Sequence, residues 1–119
     1  MKLMIVEENP GLRRLLHTLL EPSSAEISEC TEGSAAVSLS ALEAPDWIVL
    51  DLNLARANGL QVLRGMHVAC PQARIVLLAD EAGSALRLQA EQAGAAQLVL
   101  KDNLLVLPAV VAGQVELKP

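Results

Sequence analysis

The sequence predicts an α/β fold, a doubly wound sheet of five parallel strands in the order 2-1-3-4-5. Short apolar runs rich in Val, Ile and Leu recur along the chain, and segments with helical spacing separate them. This alternation is typical of βα units joined by right-handed crossovers. The 119 residues, of which 52% are hydrophobic, suffice for one continuous core. We therefore expect residues 1–119 to form a single domain.

The first βα unit combines a buried strand with an amphipathic helix. Residues 3–6 are apolar and predict the strand. Asn9 can cap the following helix, and Pro10 suits its first position. Leucines at helical spacing then form one stripe: Leu12, Leu15, Leu16, Leu19 and Leu20. Pro22 ends the helix, and residues 25–30 alternate small or apolar with polar side chains, as a half-exposed edge strand does.

The next two units place a fully apolar strand at the centre of the sheet. The segment 33–42 has the spacing of a helix, and Pro45 separates it from the apolar strand over residues 47–50. A polar loop over residues 52–58 follows this strand. Gly59 then opens a third helix, so the strand predicted to be central carries a loop at its carboxyl end.

The last two units repeat the alternation. Residues 75–78 predict a strand, residues 83–94 a helix that Gly94 ends, and residues 98–100 the fifth strand. Pro108 would break a helix that began near Asn103, but it fits the first turn of a helix that begins at Pro108 itself. We therefore predict a late start for the last helix.

The composition argues against a membrane protein and against direct nucleic-acid binding. The longest apolar stretch, residues 104–113, contains Pro108 and is shorter than the roughly 18 residues that a membrane span needs. Residues 3–6 are too short for a secretory signal, so we expect a cytoplasmic protein. The net charge is -5, and one Trp with no Phe or Tyr leaves neither a basic patch nor a base-stacking surface.

Charged side chains collect where the predicted strands end. Glu7 and Glu8 follow the first strand, and Asp51 follows the third. Asp80 comes just after the fourth strand and Lys101 after the fifth. In a doubly wound sheet the ligand crevice lies beyond the carboxyl ends of the strands, where the strand order reverses. The first and third strands are neighbours in the predicted order, so Glu8 and Asp51 should approach one another there.

These residue types suit phosphoryl transfer. Two carboxylates about 4 Å apart repel by roughly 4 kcal/mol at an effective dielectric constant of 20. A raised pKa, solvent, a divalent cation or the Lys101 ammonium can offset this repulsion. Mg²⁺ is usually bound by a few carboxylates together with waters. Lys is also a good point charge for phosphate. An aspartate in this setting is placed for in-line attack on a phosphoryl donor.

The sequence resembles bacterial response-regulator receiver domains over almost its whole length. The matching motifs, in the family's order and spacing, are Val6-Glu7-Glu8-Asn9-Pro10, Pro45-Asp46-Trp47-Ile48-Val49-Leu50-Asp51-Leu52, Gly59-Leu60, Gly94-Ala95-Ala96 and Leu100-Lys101-Asp102. The resemblance implies a flavodoxin-like, CheY-like (βα)5 fold and a role in two-component signal transduction.

The resemblance also implies roles for single residues. Asp51 would receive phosphate from a histidine kinase or a phosphotransfer protein. Glu8, Asp51 and the carbonyl group of Asn53 would bind Mg²⁺, and Glu7 would contribute through water. Lys101 would contact the phosphate. A receiver of this kind signals and is not an enzyme in its own right.

The sequence departs from the family at the residues that normally transmit phosphorylation. Ala79 stands where receivers usually carry Thr or Ser, and Leu98 replaces the usual aromatic residue of the fifth strand. Leu54-Ala55 replaces the common Met-Pro, and Glu8 is longer than the usual Asp. Our hypothesis is that phosphorylation remains chemically feasible while its conformational readout is weakened or rerouted.

Two alternative functions are open at this point. One is a pseudo-receiver, an interaction module that keeps the fold and binds partners without phosphorylation; Ala79, Leu98 and Glu8 favour it. For the single residues, the alternative interpretations are that Asp51 caps a turn and that Lys101 is a surface lysine. The other is an aspartate-nucleophile phosphatase, but that class resembles Asp-x-Asp, and the second position here is Asn53.

The apolar C-terminal segment predicts a contact surface or a sheet-covering element. Residues 104–107 with Val110, Val111 and Val115 carry too few polar positions for an ordinary surface helix. Receivers often pair through the fourth helix, fifth strand and fifth helix, so a homodimer on this face is one interpretation. The other is that the segment simply folds onto the sheet.

Overall fold

The computed structural model describes residues 1–24 and 26–113. Within them, five strands alternate with helices, in this order: β1 (Lys2–Val6), α1 (Pro10–Leu20), β2 (Glu26–Cys30), α2 (Gly33–Glu43), β3 (Trp47–Asp51), α3 (Gly59–Ala69), β4 (Arg74–Ala79), α4 (Ser84–Ala93), β5 (Gln97–Leu100) and α5 (Leu107–Val111). Two short 3₁₀ helices, Glu21–Ser23 and Lys101–Val106, follow α1 and β5. All paired strands are parallel, and their order is β2-β1-β3-β4-β5. The predicted fold class is confirmed.

The core has two layers, one on each face of the sheet. One layer packs α2, α3 and α4 against side chains such as Met4, Ile48, Leu50 and Ile75. The other packs α1 and α5 against Leu3, Ile5, Val49 and Val76. All five residues of β3 are buried. A parallel strand that is covered on both faces is apolar throughout, which is why residues 47–50 lack the alternation of an exposed strand.

Local signals position the helix ends. The side chain of Asn9 accepts a hydrogen bond from the Leu12 amide at 2.9 Å, and Pro10 begins α1. Gly94 ends α4 with a φ of 110°, in the left-handed region that favours glycine. Pro108 lies in the first turn of α5, so the late start of that helix is confirmed.

The edge strand β2 is half-exposed, whereas the amino end of the central strand is covered. Ile27 and Ser28 are half-buried between the exposed Glu26 and Glu29, as expected at a sheet edge; residue 25 and Val115 lie outside the described residues. At the amino end of β3, Trp47 is buried, and the Arg74 guanidinium lies 4.6 Å from its ring centroid. Over the described ranges, no helix has the length and apolar character to span a bilayer.

Candidate functional site

Strand pairing brings Glu7 and Asp51 to the same point of the sheet. Val6 pairs with Leu50 at the ends of β1 and β3, so the next residue of each strand, Glu7 and Asp51, emerges side by side. Both carboxyl groups are buried, with 2% and 3% of each residue exposed. Strand order reverses between β1 and β3, which is where ligand crevices form in doubly wound sheets.

Asp51 is held by one ammonium group and one backbone amide. Lys101 Nζ lies 3.0 Å from Asp51 Oδ1, and the Asn53 amide donates a hydrogen bond to the same oxygen at 2.9 Å. Burial alone would lower the pKa of Lys101, but the hydrogen bond and charge of Asp51 raise it above the usual value. The lysine therefore stays charged at neutral pH and faces the buried carboxylate.

Glu7 is the second buried carboxyl group of the site. Its Oε2 accepts a hydrogen bond from the Asn9 amide at 3.1 Å. Its Oε1 is buried and has no hydrogen-bond partner within the part of the chain that the structure describes. Burial, together with the adjacent Asp51 carboxyl group, raises the pKa of Glu7 to about 7. Two adjacent carboxyl groups thus share a pocket that disfavours two full negative charges.

Glu8 lies at the rim of the same cleft and serves a different contact. Its Oε1 accepts a hydrogen bond from the Ala55 amide, so it ties β1 to the loop after β3. The strand order predicted that Glu8 would approach Asp51. Both glutamates line the cleft with Asp51, and Glu7 is the one that is buried. The cleft has a volume of about 510 Å³ and is lined by Glu7, Glu8, Asn9, Leu12, Asp51, Asn53, Ala55 and Lys101.

The carboxyl pair fits a cation that needs few protein ligands. Across residues 1–24 and 26–113, no three or more His, Cys, Asp and Glu side chains form a ready-made metal cluster. Mg²⁺ is commonly bound through one or two carboxylates and keeps several waters. The unpartnered Oε1 of Glu7, buried beside Asp51, is the type of oxygen that such an ion would satisfy.

The two residues that replace the family's switch pair are both buried. Ala79 ends β4 with no exposed surface, and Leu98 in β5 is 3% exposed. Leu98 packs in the core layer of α2, α3 and α4. A methyl group at position 79 cannot hydrogen-bond to anything bound at Asp51, and Leu98 carries no polar group that could make such a bond instead.

Asp80 takes part in the site more closely than its place in the sequence indicated. The Asn53 side-chain amide donates to Asp80 Oδ2, and Asp80 Oδ1 lies 3.6 Å from Lys101 Nζ. Sequence reasoning placed Asp80 at the right edge of the sheet but gave it no role. Its position directly after β4, beside a missing hydroxyl, was the available signal.

Arg13 hydrogen-bonds to the backbone of Glu7 and Glu8, the two acidic residues after β1. Its guanidinium group donates to the carbonyl oxygens of Glu7 at 3.1 Å and Glu8 at 3.3 Å, and it pairs with Glu29 of β2 at 3.1 Å. A guanidinium group can make several such bonds at once because its donors point in fixed directions. Sequence reasoning missed this residue, which lies four positions after the Asn9 cap.

Comparison with known proteins agrees with the fold. The model of the response regulator receiver domain family matches residues 3–107. The nitrate/nitrite response regulator protein NarP of Escherichia coli is 33% identical over 94% of this chain and 54% of its own length. A LuxR-family two-component response regulator from Aurantimonas is 27% identical, with a TM-score of 0.82, 99% of this chain covered and 89% of the other.

A second solved structure contains a modified aspartate. A response regulator from Burkholderia pseudomallei, with a phosphorylated aspartic acid, a calcium ion and citrate, is 25% identical. Its TM-score is 0.82, with 91% of this chain and 64% of that chain covered. The present chain spans about half the length of the curated relatives it matches. These similarities lend no specific support to a phosphorylation-independent module. The chain belongs to the receiver-domain family of two-component response regulators.

Proposed function

We propose that Asp51 accepts a phosphoryl group from a histidine kinase or a phosphotransfer protein. The observation that carries this proposal is the contact between Asp51 Oδ1 and the Lys101 ammonium at 3.0 Å, in a cleft that also holds the buried Glu7. Lys101 reaches Asp51 from the end of β5, two strands away from β3. Such a convergence is not needed to cap a turn, which supports a phosphoryl site over a structural carboxylate.

The chemistry needs one nucleophilic oxygen and a cationic neighbour. An oxygen of Asp51 attacks phosphorus, a new O–P bond forms, and the bond from phosphorus to the donor breaks. The electron pair of that bond leaves with the donor: the imidazole nitrogen of a phosphohistidine, or acetate from acetyl phosphate. The Lys101 ammonium stabilises the negative phosphoryl oxygens as a point charge, more strongly in a partly buried cleft than in water.

Magnesium is the cofactor that these residues would hold. Asp51, Glu8 and the carbonyl oxygen of Asn53 would hold the ion, and Glu7 would contribute through water. When bound, the cation offsets the charge of the carboxyl groups and of the phosphoryl oxygens. The presence of both a phosphorylated aspartic acid and a calcium ion in the Burkholderia pseudomallei relative supports this assignment.

The conformational response to phosphorylation is weakened or rerouted. A hydrogen bond from a hydroxyl to a charged phosphoryl oxygen contributes about 1.5–3 kcal/mol, and Ala79 cannot make it. A ligand shifts a conformational equilibrium only by its differential affinity for the two states. Without the hydroxyl at position 79 and the aromatic residue at position 98, this difference must come from other contacts.

The partners follow from the family and the surface. Residues 1–119 form one cytoplasmic receiver domain, without catalysis of its own or direct contact with nucleic acid or membrane, that works with a histidine kinase or a phosphotransfer protein. A homodimer through α4, β5 and α5 is consistent with exposed leucines in and beside these elements: Leu88 in α4 is 55% exposed, and Leu105, in the 3₁₀ helix between β5 and α5, is 81% exposed.

Intact mass spectrometry tests phosphorylation directly. The wild type is treated with acetyl phosphate and Mg²⁺ beside Asp51→Asn and the control Asp102→Asn, which changes an exposed carboxylate outside the cleft. We expect the mass of one phosphoryl group on the wild type and on the control, and none on Asp51→Asn. No addition to the wild type, or equal addition to Asp51→Asn, would contradict the proposal, and the former would favour the pseudo-receiver.

A further inference from the structure

Asp80 contacts the two residues that hold the acceptor oxygen. Lys101 Nζ and the backbone amide of Asn53 both contact Asp51 Oδ1, at 3.0 Å and 2.9 Å. Asp80 Oδ1 lies 3.6 Å from the same Nζ, and Asp80 Oδ2 accepts a hydrogen bond from the Asn53 side chain. The segment after β4 is thereby fastened, through one carboxylate, to the loop after β3.

A phosphoryl group on Asp51 would act on this carboxylate in two ways. It carries about 1.5 to 2 negative charges at pH 7, so it competes with Asp80 for the Lys101 ammonium. It also repels Asp80, because both groups are anionic and share the same neighbours. The Asp80 side chain is 67% exposed, and exposed ion pairs are weak, so the fastening opens readily.

We propose that Asp80 is a charge-operated latch, closed on Asn53 and Lys101 in the free domain and expelled when Asp51 is phosphorylated. This inference rests on the proposed function. An ordinary hydroxyl would draw the segment after β4 toward the phosphoryl group; here Ala79 exerts no such pull, and the negative charge of Asp80 pushes the segment away. Residues 80–83 lead directly into α4, so the opening reaches that helix.

Most of the segment after β4 is exposed, and only Ala82 of residues 80–83 is half-buried and packs against the core. Asp80, Glu81 and Gly83 are exposed, and a side chain added at Gly83 would meet no atom within 4 Å. Gly83 is the N-cap residue of α4 and has no side chain to form a capping hydrogen bond, so no such bond opposes a shift at that end of the helix. Among the described residues, the polar side-chain contacts between this segment and the acceptor site are those of Asp80.

Two variants separate the hydrogen bond from the charge, and a third is the control. Asp80→Ala removes both contacts. Asp80→Asn keeps an oxygen that can accept from Asn53 but removes the repulsion and the ion pair. Glu81→Gln removes the adjacent exposed carboxylate, which makes no side-chain hydrogen bond or ion pair among the described residues.

Nuclear magnetic resonance reads the latch before and after treatment with acetyl phosphate and Mg²⁺, with intact mass measured on the same samples. In the wild type and in Glu81→Gln, phosphorylation should shift the Asn53 side-chain amide signals and lower the order parameters of residues 81–83. Asp80→Ala should show the open signals already without phosphate. In Asp80→Asn, phosphorylation should change these signals and order parameters by less than half as much as in the wild type. Both Asp80 variants should take up phosphate about two- to fivefold faster.

Several results would overturn the latch. In the untreated protein, Asn53 signals in Asp80→Ala that equal those of the wild type would show that Asp80 holds nothing. In phosphorylated protein, unchanged order of residues 81–83, or a full change in Asp80→Asn, would remove charge repulsion as the cause. A wild type that gains no mass refutes phosphorylation itself, and with it the switching of the latch, while the untreated spectra still decide whether the closed contact exists.

Discussion

Glu7 shows how the position of a residue in the fold sets its protonation. Glu7 comes directly after the paired ends of β1 and β3 and lies in a buried pocket. One of its oxygens has no hydrogen-bond partner in the described residues. Burial and the neighbouring Asp51 raise its pKa to about 7, from an ordinary value of 4.5. The folded protein therefore keeps a proton on Glu7 that the unfolded chain releases.

This difference predicts a pH dependence of stability in the metal-free protein. As the pH rises from 4.5 to about 7, the unfolded chain loses the proton first, so the free energy of unfolding contributed by Glu7 falls and then levels off. Glu7→Gln should lack this fall, because an amide does not titrate. Urea unfolding followed by circular dichroism in EDTA, with Glu81→Gln as control, measures it. A constant difference between wild type and Glu7→Gln across this range would contradict it.

At the same scale, strand ends predicted the site better than side-chain directions. The approach of Lys101 to Asp51 follows from strand order alone, because both residues end strands at one edge of the sheet. The burial of Glu7 and the contact of Glu8 with the loop after β3 do not follow from it. They depend on the backbone after β1, where the Ala55 amide donates a hydrogen bond to the Glu8 carboxylate, and periodicity carries no information on such a contact.

At the scale of elements, the loop from β3 to α3 is fitted tightly to the helix it precedes. The side chain of Asn58 caps α3 by accepting from the Leu60 and Gln61 amides. The backbone of Leu52 passes so close to Gly59 that a β-carbon there would collide with it. This packing fixes the course of the chain just after Asp51.

Gly59→Ala should therefore destabilise the fold. The added methyl group meets backbone atoms, which cannot rotate away as a flexible side chain can, and overpacking of this type costs about 1–3 kcal/mol. Gly83→Ala is the matched control, because a β-carbon at Gly83 has open space and its φ of -83° suits alanine. Urea unfolding measures both variants. Equal midpoints for the two would contradict the packing argument.

The elements themselves were predictable, since each strand and helix has a local signal. The apolar runs lie within the observed strands, and Pro10, Gly94 and Pro108 mark helix ends as expected. Sequence reasoning missed the 3₁₀ helix Lys101–Val106, in which Asn103 has a φ of -127°. This segment depends on how β5 connects to α5, a tertiary constraint that periodicity does not reveal.

At the scale of the whole molecule, the site exists only in the folded chain. Its side chains come from the ends of β1, β3, β4 and β5, which all reach the same edge of one sheet. An ion bound there stabilises the folded state and has no equivalent site in the unfolded chain. Binding at the cleft and global stability are therefore linked.

Added Mg²⁺ should accordingly raise the melting temperature of the wild type. Occupancy at a hundredfold excess over the dissociation constant contributes about 2.7 kcal/mol. Asp51→Asn should show little of this rise, because the variant retains only one carboxyl group of the buried pair. Thermal unfolding by circular dichroism, with NaCl at matched ionic strength, isolates the specific effect. An equal rise in Asp51→Asn would place the ion elsewhere.

Trp47 occupies the end of β3 that is opposite to Asp51, with Arg74 over its ring. The chain contains no Tyr and no Phe, so its near-ultraviolet emission comes from this one indole. About 13 Å of strand separates the two residues, at roughly 3.3 Å per step. The protein thus carries an intrinsic fluorophore that reports loss of the core without an attached dye, and that stands clear of whatever occupies the cleft.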